Sequence, residues 1–329
     1  MPLHATRQVQ DSQWLSARHP VRSPAGAFRG LALTLLVASL AVPIHAQTRP
    51  PTPEQDPLLR ARVLYNQGDF DGAIAAAIKA RARPGVPDAA DLVLARAHLE
   101  RFRKTSDRAD LVAARESLAQ IRPGRLTPRD RDDLVIGLGL TLFFDEQYGA
   151  AAELFEGMLK QTEPPAPSPS SGGATPPAAV SPSLDGASRE RVFDWWATSL
   201  DREAQSRLLA NRDAIYARIL DAVPLELARD PASVAAAYWL PAASRAAGDL
   251  DRAWDAAIAG WVRSLLAGDA GETLRADLDR LVLQAIIPER VRLLAEGDLD
   301  RERLADEMRE AWDAVKRDWK RAATPEGGG

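Results

Sequence analysis

Short turns followed by alanines at helical spacing recur in this chain and point to packed pairs of helices. The clearest copies are GDFDGAIAAAIKA, which begins at residue 68, and GDLDRAWDAAIAG, which begins at residue 248. In both, Gly-Asp begins a turn and two alanines follow four residues apart, as Ala73 and Ala77 or as Ala253 and Ala257. This spacing places them on one face of a helix, where small side chains let a second helix approach closely.

Further copies of the pattern divide the chain into helix pairs. They are residues 61–84, a degenerate copy at 92–121 with Ala95, Ala114 and Leu118, a copy at 138–159 with Gly139, Tyr148, Ala151, Phe155 and Met158, and residues 239–261. The first three copies are spaced by 41 and 37 residues, measured between Ala73, Ala114 and Ala151. We expect the residues in excess of a period of about 34 to lie in two polar turns, KTSDRAD from residue 104 and RPGRLTPRD from residue 122.

This pattern resembles the tetratricopeptide repeat, in which a small residue stands where the second helix crosses the first and an aromatic residue packs just after the turn. The resemblance implies an all-α, tetratricopeptide-like solenoid of helix pairs, in one array or in two modules. It also implies a right-handed superhelix whose concave inner surface is lined by the first helix of each pair and binds a protein or peptide segment.

The remaining segments suggest the organisation of the chain. Residues 1–46 are predicted to be a signal peptide, 47–56 a disordered lead-in, 57–162 tetratricopeptide-like repeats, 163–188 a disordered linker rich in Pro, Ser and Gly, 189–322 a Trp-rich helical module with one further repeat, and 323–329 a disordered tail. In the second module we expect one helix pair near 189–229, broken around Pro224 and Pro231. Another is expected near 272–322, with its turn at Glu296-Gly297-Asp298.

The predicted signal peptide has the parts that secretion requires. Arg22 and Arg29 precede the apolar stretch GLALTLLVASLAV, and cleavage is expected after Ala46. Thirteen apolar or small residues are short for a bilayer span, so no stable membrane span is expected after cleavage; an uncleaved anchor is the alternative. No lipobox cysteine follows. The sequence therefore predicts a periplasmic or secreted protein.

Composition argues against several kinds of site. The chain has no cysteine, and its four histidines reduce to His98 once residues 1–46 are removed. Zinc sites of the usual kind, Cys-His pairs and Ser-His-Asp triads are therefore difficult to build. No nucleotide-binding or hydrolase motif occurs. We expect no catalytic, metal or cofactor site, and hence no enzyme.

Charge and aromatic residues bear on the partner. Without residues 1–46 the net charge is −7 with both signs interspersed, so nucleic acid is not expected as a partner.

Seven tryptophans follow the linker. Those at 254 and 261, and at 312 and 319, are seven residues apart, which favours core packing over an aromatic groove. Adjacent Trp195 and Trp196 point about 100° apart on a helix; with Trp239 they are the predicted partner-binding surface.

Other polar residues receive structural interpretations. Asp277 and Asp279, like Asp298 and Asp300, are two residues apart, which separates them around a helix and favours solvated charges, salt bridges and helix caps. His98 is expected in the core or at its rim.

The predicted function is an exported scaffold or adaptor that binds a protein or peptide in the cell envelope. The alternatives are a glycan- or cell-wall-binding helical repeat protein, or an enzyme resembling lytic transglycosylases; the sequence leaves the oligomeric state open.

Overall fold

The structure, a computed structural model, describes residues 56–161 and 184–323. Of these residues 86% are helical and none form a strand, which confirms the all-α class. The helices are α1 (Pro57–Gln67), α2 (Phe70–Arg81), α3 (Pro87–Thr105), α4 (Arg108–Gln120), α5 (Pro128–Phe144), α6 (Tyr148–Gln161), α7 (Gly186–Ser206), α8 (Arg212–Arg229), α9 (Val234–Ala246), α10 (Leu250–Arg263), α11 (Ala270–Leu281), α12 (Ile287–Leu294) and α13 (Asp298–Ala323). The predicted signal peptide, lead-in to residue 55 and most of the linker and tail lie outside the described residues.

The tight turns lie where the sequence predicts them. Gly68 and Gly248 follow α1 and α9 with φ of 76° and 85°, a left-handed conformation that glycine adopts without strain. Asp69 and Asp249 then cap the next helix: the carboxylate of Asp69 accepts a hydrogen bond of 2.8 Å from the N–H of Gly72. Each turn thus ends one helix and starts its antiparallel neighbour.

Small residues are buried where paired helices cross. Seven alanines named in the repeat pattern or next to it are fully buried: Ala73, Ala77, Ala80, Ala114, Ala151, Ala253 and Ala257. At Gly139 of α5 the two helices approach closely, because a Cβ there would lie 2.5 Å from Cζ of Phe155 on α6. The prediction that small side chains allow close crossing is therefore confirmed at these positions.

Helices that are neighbours in sequence pack together along the chain, including α6 and α7 on either side of residues 162–183. One hydrophobic core joins residues from α3 through α9, among them Leu99, Phe155, Phe193 and Ile219. A second core joins α9 to α13 around Trp312. The helices before and after residues 162–183 therefore share one core.

Several boundaries differ from expectation. Pro224 lies inside α8 rather than at a break; a proline removes one helical hydrogen bond, but Tyr216, Ile219 and Val223 bury the helix face leading to it. The extra residues of the second repeat extend α3 to Thr105 instead of lengthening the turn. The turn at residues 296–298 is confirmed, whereas 270–294 comprise α11, a π-helical turn at Val282–Ile286 and α12.

Candidate functional site

A groove of about 470 Å³ opens between α1, α3, α5 and α7. These are the first helices of four successive pairs. The residues that line it are Tyr65, Asn66, Gln67, Gly68, Phe70, Arg96, Leu99, Glu100, Arg103, Lys104, Ile136, Gly137, Leu140, Arg191 and Trp195. It is the strongest candidate for a functional site, because it combines an apolar floor with several charged side chains.

Helical spacing explains why these residues face the same space. On α3 the lining positions are Arg96, Leu99, Glu100, Arg103 and Lys104, which follow the i, i+3, i+4, i+7, i+8 pattern of one helix face. On α5, Ile136 and Leu140 are four residues apart and Gly137 is adjacent to Ile136. On α7, Arg191 and Trp195 are also four residues apart. The floor is apolar because Leu99, Ile136 and Leu140 belong to the buried side of their helices.

Two of the cations in the groove are held by acidic partners. Arg96 lies 2.5 Å from a carboxylate oxygen of Asp133, and its guanidinium sits 4.6 Å from the ring centroid of Tyr65. Arg103 pairs with Glu100 at 2.8 Å. These contacts fix the side chains in place.

The other two cations have no acidic partner among the described residues. Lys104 is exposed, and its Nζ lies 4.4 Å from the ring centroid of Phe70. Arg191 is half-buried and donates a hydrogen bond of 3.2 Å to Oγ of Ser188. Sequence reasoning missed all four cations. The available signal was Arg96 with Arg103 and Lys104 seven and eight residues later on one face of α3, which the sequence alone does not distinguish from a solvated face.

Trp195 is the residue of the predicted aromatic surface that lines this groove. It is half-buried, and its ring meets those of Phe143 and Phe144 edge-on, with centroids 5.1 and 6.2 Å apart. The ring of Phe102 on α3 in turn meets Phe144 at 5.0 Å. This aromatic cluster ties α3, α5 and α7 together at one side of the groove.

Trp196 and Trp239 do not form an exposed surface with Trp195. Trp196 is 3% exposed and Trp239 7% exposed, and both lie within the main core, the one that joins α3 through α9. The indole N–H of Trp239 donates a 2.9 Å hydrogen bond to Asp194, which ties α9 to α7. Adjacent tryptophans on a helix point in different directions, and here the core takes Trp196 while Trp195 turns to the groove. The expectation of one three-tryptophan surface is corrected in this respect.

The seven-residue tryptophan pairs are mainly structural. Trp312 is fully buried, and its ring meets those of Trp254 and Trp261 edge-on at 6.1 and 5.4 Å. Its N–H donates a 2.6 Å hydrogen bond to Asp279. The exception is Trp319, which is 40% exposed. Core packing, the favoured interpretation, is thus confirmed for three of the four rings.

Acidic residues are more buried than expected. Asp277 pairs with Arg280 at 2.8 Å, as the salt-bridge interpretation expects, but it is buried rather than solvated. Asp279 binds Trp312 and Lys316. Asp298 and Asp300 form the expected helical ion pairs with nearby arginines. His98 lies at the rim of the core, with Nδ1 2.7 Å from Asp110.

A second pocket, of about 420 Å³, lies where α7 meets the start of α9. Glu190 accepts hydrogen bonds from Oγ of Ser233 (2.7 Å) and N–H of Ala235 (2.6 Å), so it caps α9 from another helix. Burial raises the pKa of Asp194 to about 6, against the opposing hydrogen bond from Trp239. Burial likewise raises the pKa of Glu190. Because both carboxylates are engaged in joining helices, this pocket is the weaker candidate.

Comparisons with known proteins identify no relative. No protein-family model, no curated protein and no solved structure matches the chain. In the part of the chain that the structure describes, no group of three or more His, Asp or Glu side chains could hold a metal ion. No helix between residues 56–161 or 184–323 is both long and apolar enough to cross a membrane.

Proposed function

We propose that this chain is an exported, tetratricopeptide-like scaffold that binds an extended protein or peptide segment in the groove between α1, α3, α5 and α7. The observation that carries the proposal is that the groove is lined by the first helix of four successive pairs, with Gly68 added from the turn after α1 and Phe70 from the start of α2. In a tetratricopeptide solenoid those helices form the concave inner surface, where partner segments bind.

Local features support the repeat architecture. Fully buried alanines lie at the crossings within pairs, and Gly139 meets Phe155 where the repeat resemblance requires a small residue. Alternate helices also touch, as α1 with α3 and α3 with α5. Packing of each helix pair on the next is the arrangement by which repeat proteins build an extended binding surface.

The cellular location is part of the proposal. Arg22 and Arg29 before a thirteen-residue apolar stretch, and small residues up to Ala46, support export by a cleaved signal. The protein would then act in the periplasm or outside the cell, where its partner would be an envelope or secreted protein.

The aromatic contacts favour a peptide over a glycan. Sugar rings stack on open aromatic faces, but the Tyr65 ring carries the guanidinium of Arg96 and Trp195 is contacted by two phenylalanine rings. A binding role rather than catalysis is favoured because Glu100, the carboxylate of the lining, is neutralised by Arg103.

Site-specific photo-crosslinking tests the proposal. A benzoylphenylalanine at Asn66, exposed in the groove, is compared with one at Ile78, exposed on α2 outside it. We expect a discrete protein adduct from Asn66 and none from Ile78, and mass spectrometry of the adduct identifies the partner segment. A synthetic peptide of that segment should then bind the purified protein and suppress crosslinking. Equal adducts at both positions, or binding to polysaccharide arrays without a protein adduct, would contradict the proposal.

A further inference from the structure

The groove is basic although the chain as a whole is acidic. The full sequence carries a net charge of −4, yet the lining holds Arg96, Arg103, Lys104 and Arg191 against the single carboxylate of Glu100. Charge of one sign gathered in a concave site on a protein of the opposite sign selects among partners by electrostatics.

Internal pairing leaves part of this positive charge uncompensated. Asp133 and Glu100 neutralise Arg96 and Arg103, at 2.5 and 2.8 Å. Lys104 and Arg191 have no acidic side chain within ion-pair distance in residues 56–161 and 184–323, although the charge of Arg191 acts at longer range on Asp185. Lys104 rests on the ring of Phe70, which positions the ammonium without neutralising it. Two positive charges in the groove are therefore available to a ligand.

These two cations come from different walls of the same space. Lys104 belongs to α3 and Arg191 to α7. The charge of Arg191 also acts on Tyr65 of α1: burial raises the pKa of that phenol, and the charges of Arg96 and Arg191 oppose the rise. Between the cationic walls lies the apolar floor of Leu99, Ile136 and Leu140.

We propose that the segment bound in this groove is an acidic peptide, whose carboxylates pair with Lys104 and Arg191 while its apolar side chains contact the floor. The inference rests on the proposed function and adds the chemical class of the ligand. An extended peptide points successive side chains to opposite sides, so a sequence that alternates Glu or Asp with small apolar residues separates the side chains that contact the apolar floor from those that pair with the cations.

Three fluorescein-labelled dodecapeptides test the preference by fluorescence anisotropy. They share Ala and Leu at alternate positions and differ in carrying Glu, Gln or Lys at the others. We expect the Glu peptide to bind roughly tenfold more tightly than the Gln peptide, which corresponds to two partly exposed ion pairs. The Lys peptide should bind most weakly. The Glu preference should shrink between 50 and 500 mM NaCl because salt screens charges near solvent.

Charge reversal locates the effect. The double variant K104E/R191E should abolish or invert the preference for the Glu peptide. The control K79E/R252E makes the same change in net charge at two exposed positions outside the groove lining, and should retain the preference. Circular dichroism of both variants verifies that each keeps its helical content.

The outcomes separate the two proposals. Equal affinity for the three peptides, together with their crosslinking to position 66, overturns the acidic preference but leaves the groove as the binding site. A Glu preference that K79E/R252E reduces as much as K104E/R191E also overturns the inference, because the effect would then follow from net charge alone. If no peptide binds and no protein adduct forms at position 66, both proposals fail.

Discussion

Replacing Gly139 with alanine would place a methyl group against the ring of Phe155. An ideal Cβ at residue 139 lies 2.5 Å from Cζ and 2.6 Å from Cε1 of that ring, closer than carbon atoms approach without repulsion. Phe155 is fully buried in the main core, so its ring has no open space into which to turn. The substitution must therefore separate α5 from α6 or distort the ring's packing.

Two effects of opposite sign determine how much Gly139→Ala changes the free energy of unfolding. Overpacking a close-packed core costs about 1–3 kcal/mol, whereas alanine is favoured over glycine inside a helix by about 1 kcal/mol. We expect Gly139→Ala to lower the free energy of unfolding by about 1 kcal/mol. Gly157→Ala on α6 is the matched control, because no atom lies within 4 Å of its Cβ position, and it should stabilise the protein by up to about 1 kcal/mol.

Urea denaturation followed by circular dichroism measures both changes, provided that the slope of the free energy against urea is unchanged. A third variant, G139A/F155L, removes the ring that the methyl group strikes. In a double-mutant cycle the alanine should cost less in the Phe155→Leu background than in the wild type. If Gly139→Ala stabilises the protein as much as Gly157→Ala does, close crossing at this point is not what the glycine provides.

Two further stability predictions concern buried polar and aromatic groups. The pKa of Asp194 is about 6 in the folded protein against an ordinary value of 3.8. The protonated carboxyl therefore contributes its full stabilisation below about pH 3.8, and this stabilisation is lost as pH rises through 6. Asp194→Asn keeps an acceptor for Trp239 and should raise stability at pH 7 by at most about 3 kcal/mol, with little gain at pH 4; an equal gain at both pH values would contradict this. Trp312 is fully buried and Trp319 is 40% exposed. In urea denaturation, Trp312→Ala should therefore lower the free energy of unfolding by about 3–5 kcal/mol, and Trp319→Ala by less than about 1 kcal/mol. Similar losses in the two variants would refute the assignment of Trp312 to the core.

The sequence predicts the parts of the fold that depend on local chemistry. Gly68 and Gly248 mark turns because a left-handed residue followed by a capping aspartate is a local requirement, and both are where the pattern places them. Pro224 shows the limit of such rules. Its local preference is to end a helix, but burial of neighbouring residues of α8 outweighs that preference, and burial is not visible in a local pattern.

The candidate site was predictable only in part, because its residues come together through packing. The resemblance to a repeat predicts which helices line the concave surface, and Trp195 was singled out from sequence. What the sequence cannot show is which cations have acidic partners: Arg96 meets Asp133 from a different helix, whereas Arg191 meets none in the described part of the chain. For the same reason Trp239 could not be assigned to the core, since its partner Asp194 is 45 residues away.

The contact between α6 and α7 has a consequence for how the protein responds to destabilising substitutions. Because α6 and α7 pack against each other within one core, either half of the chain by itself would expose apolar residues to solvent. Loosening the second half would uncover apolar residues of α6, and loosening the first would do the same to α7. The helices on the two sides of this junction should therefore unfold cooperatively, and a destabilising substitution far from the groove in sequence can still alter the shape of the groove.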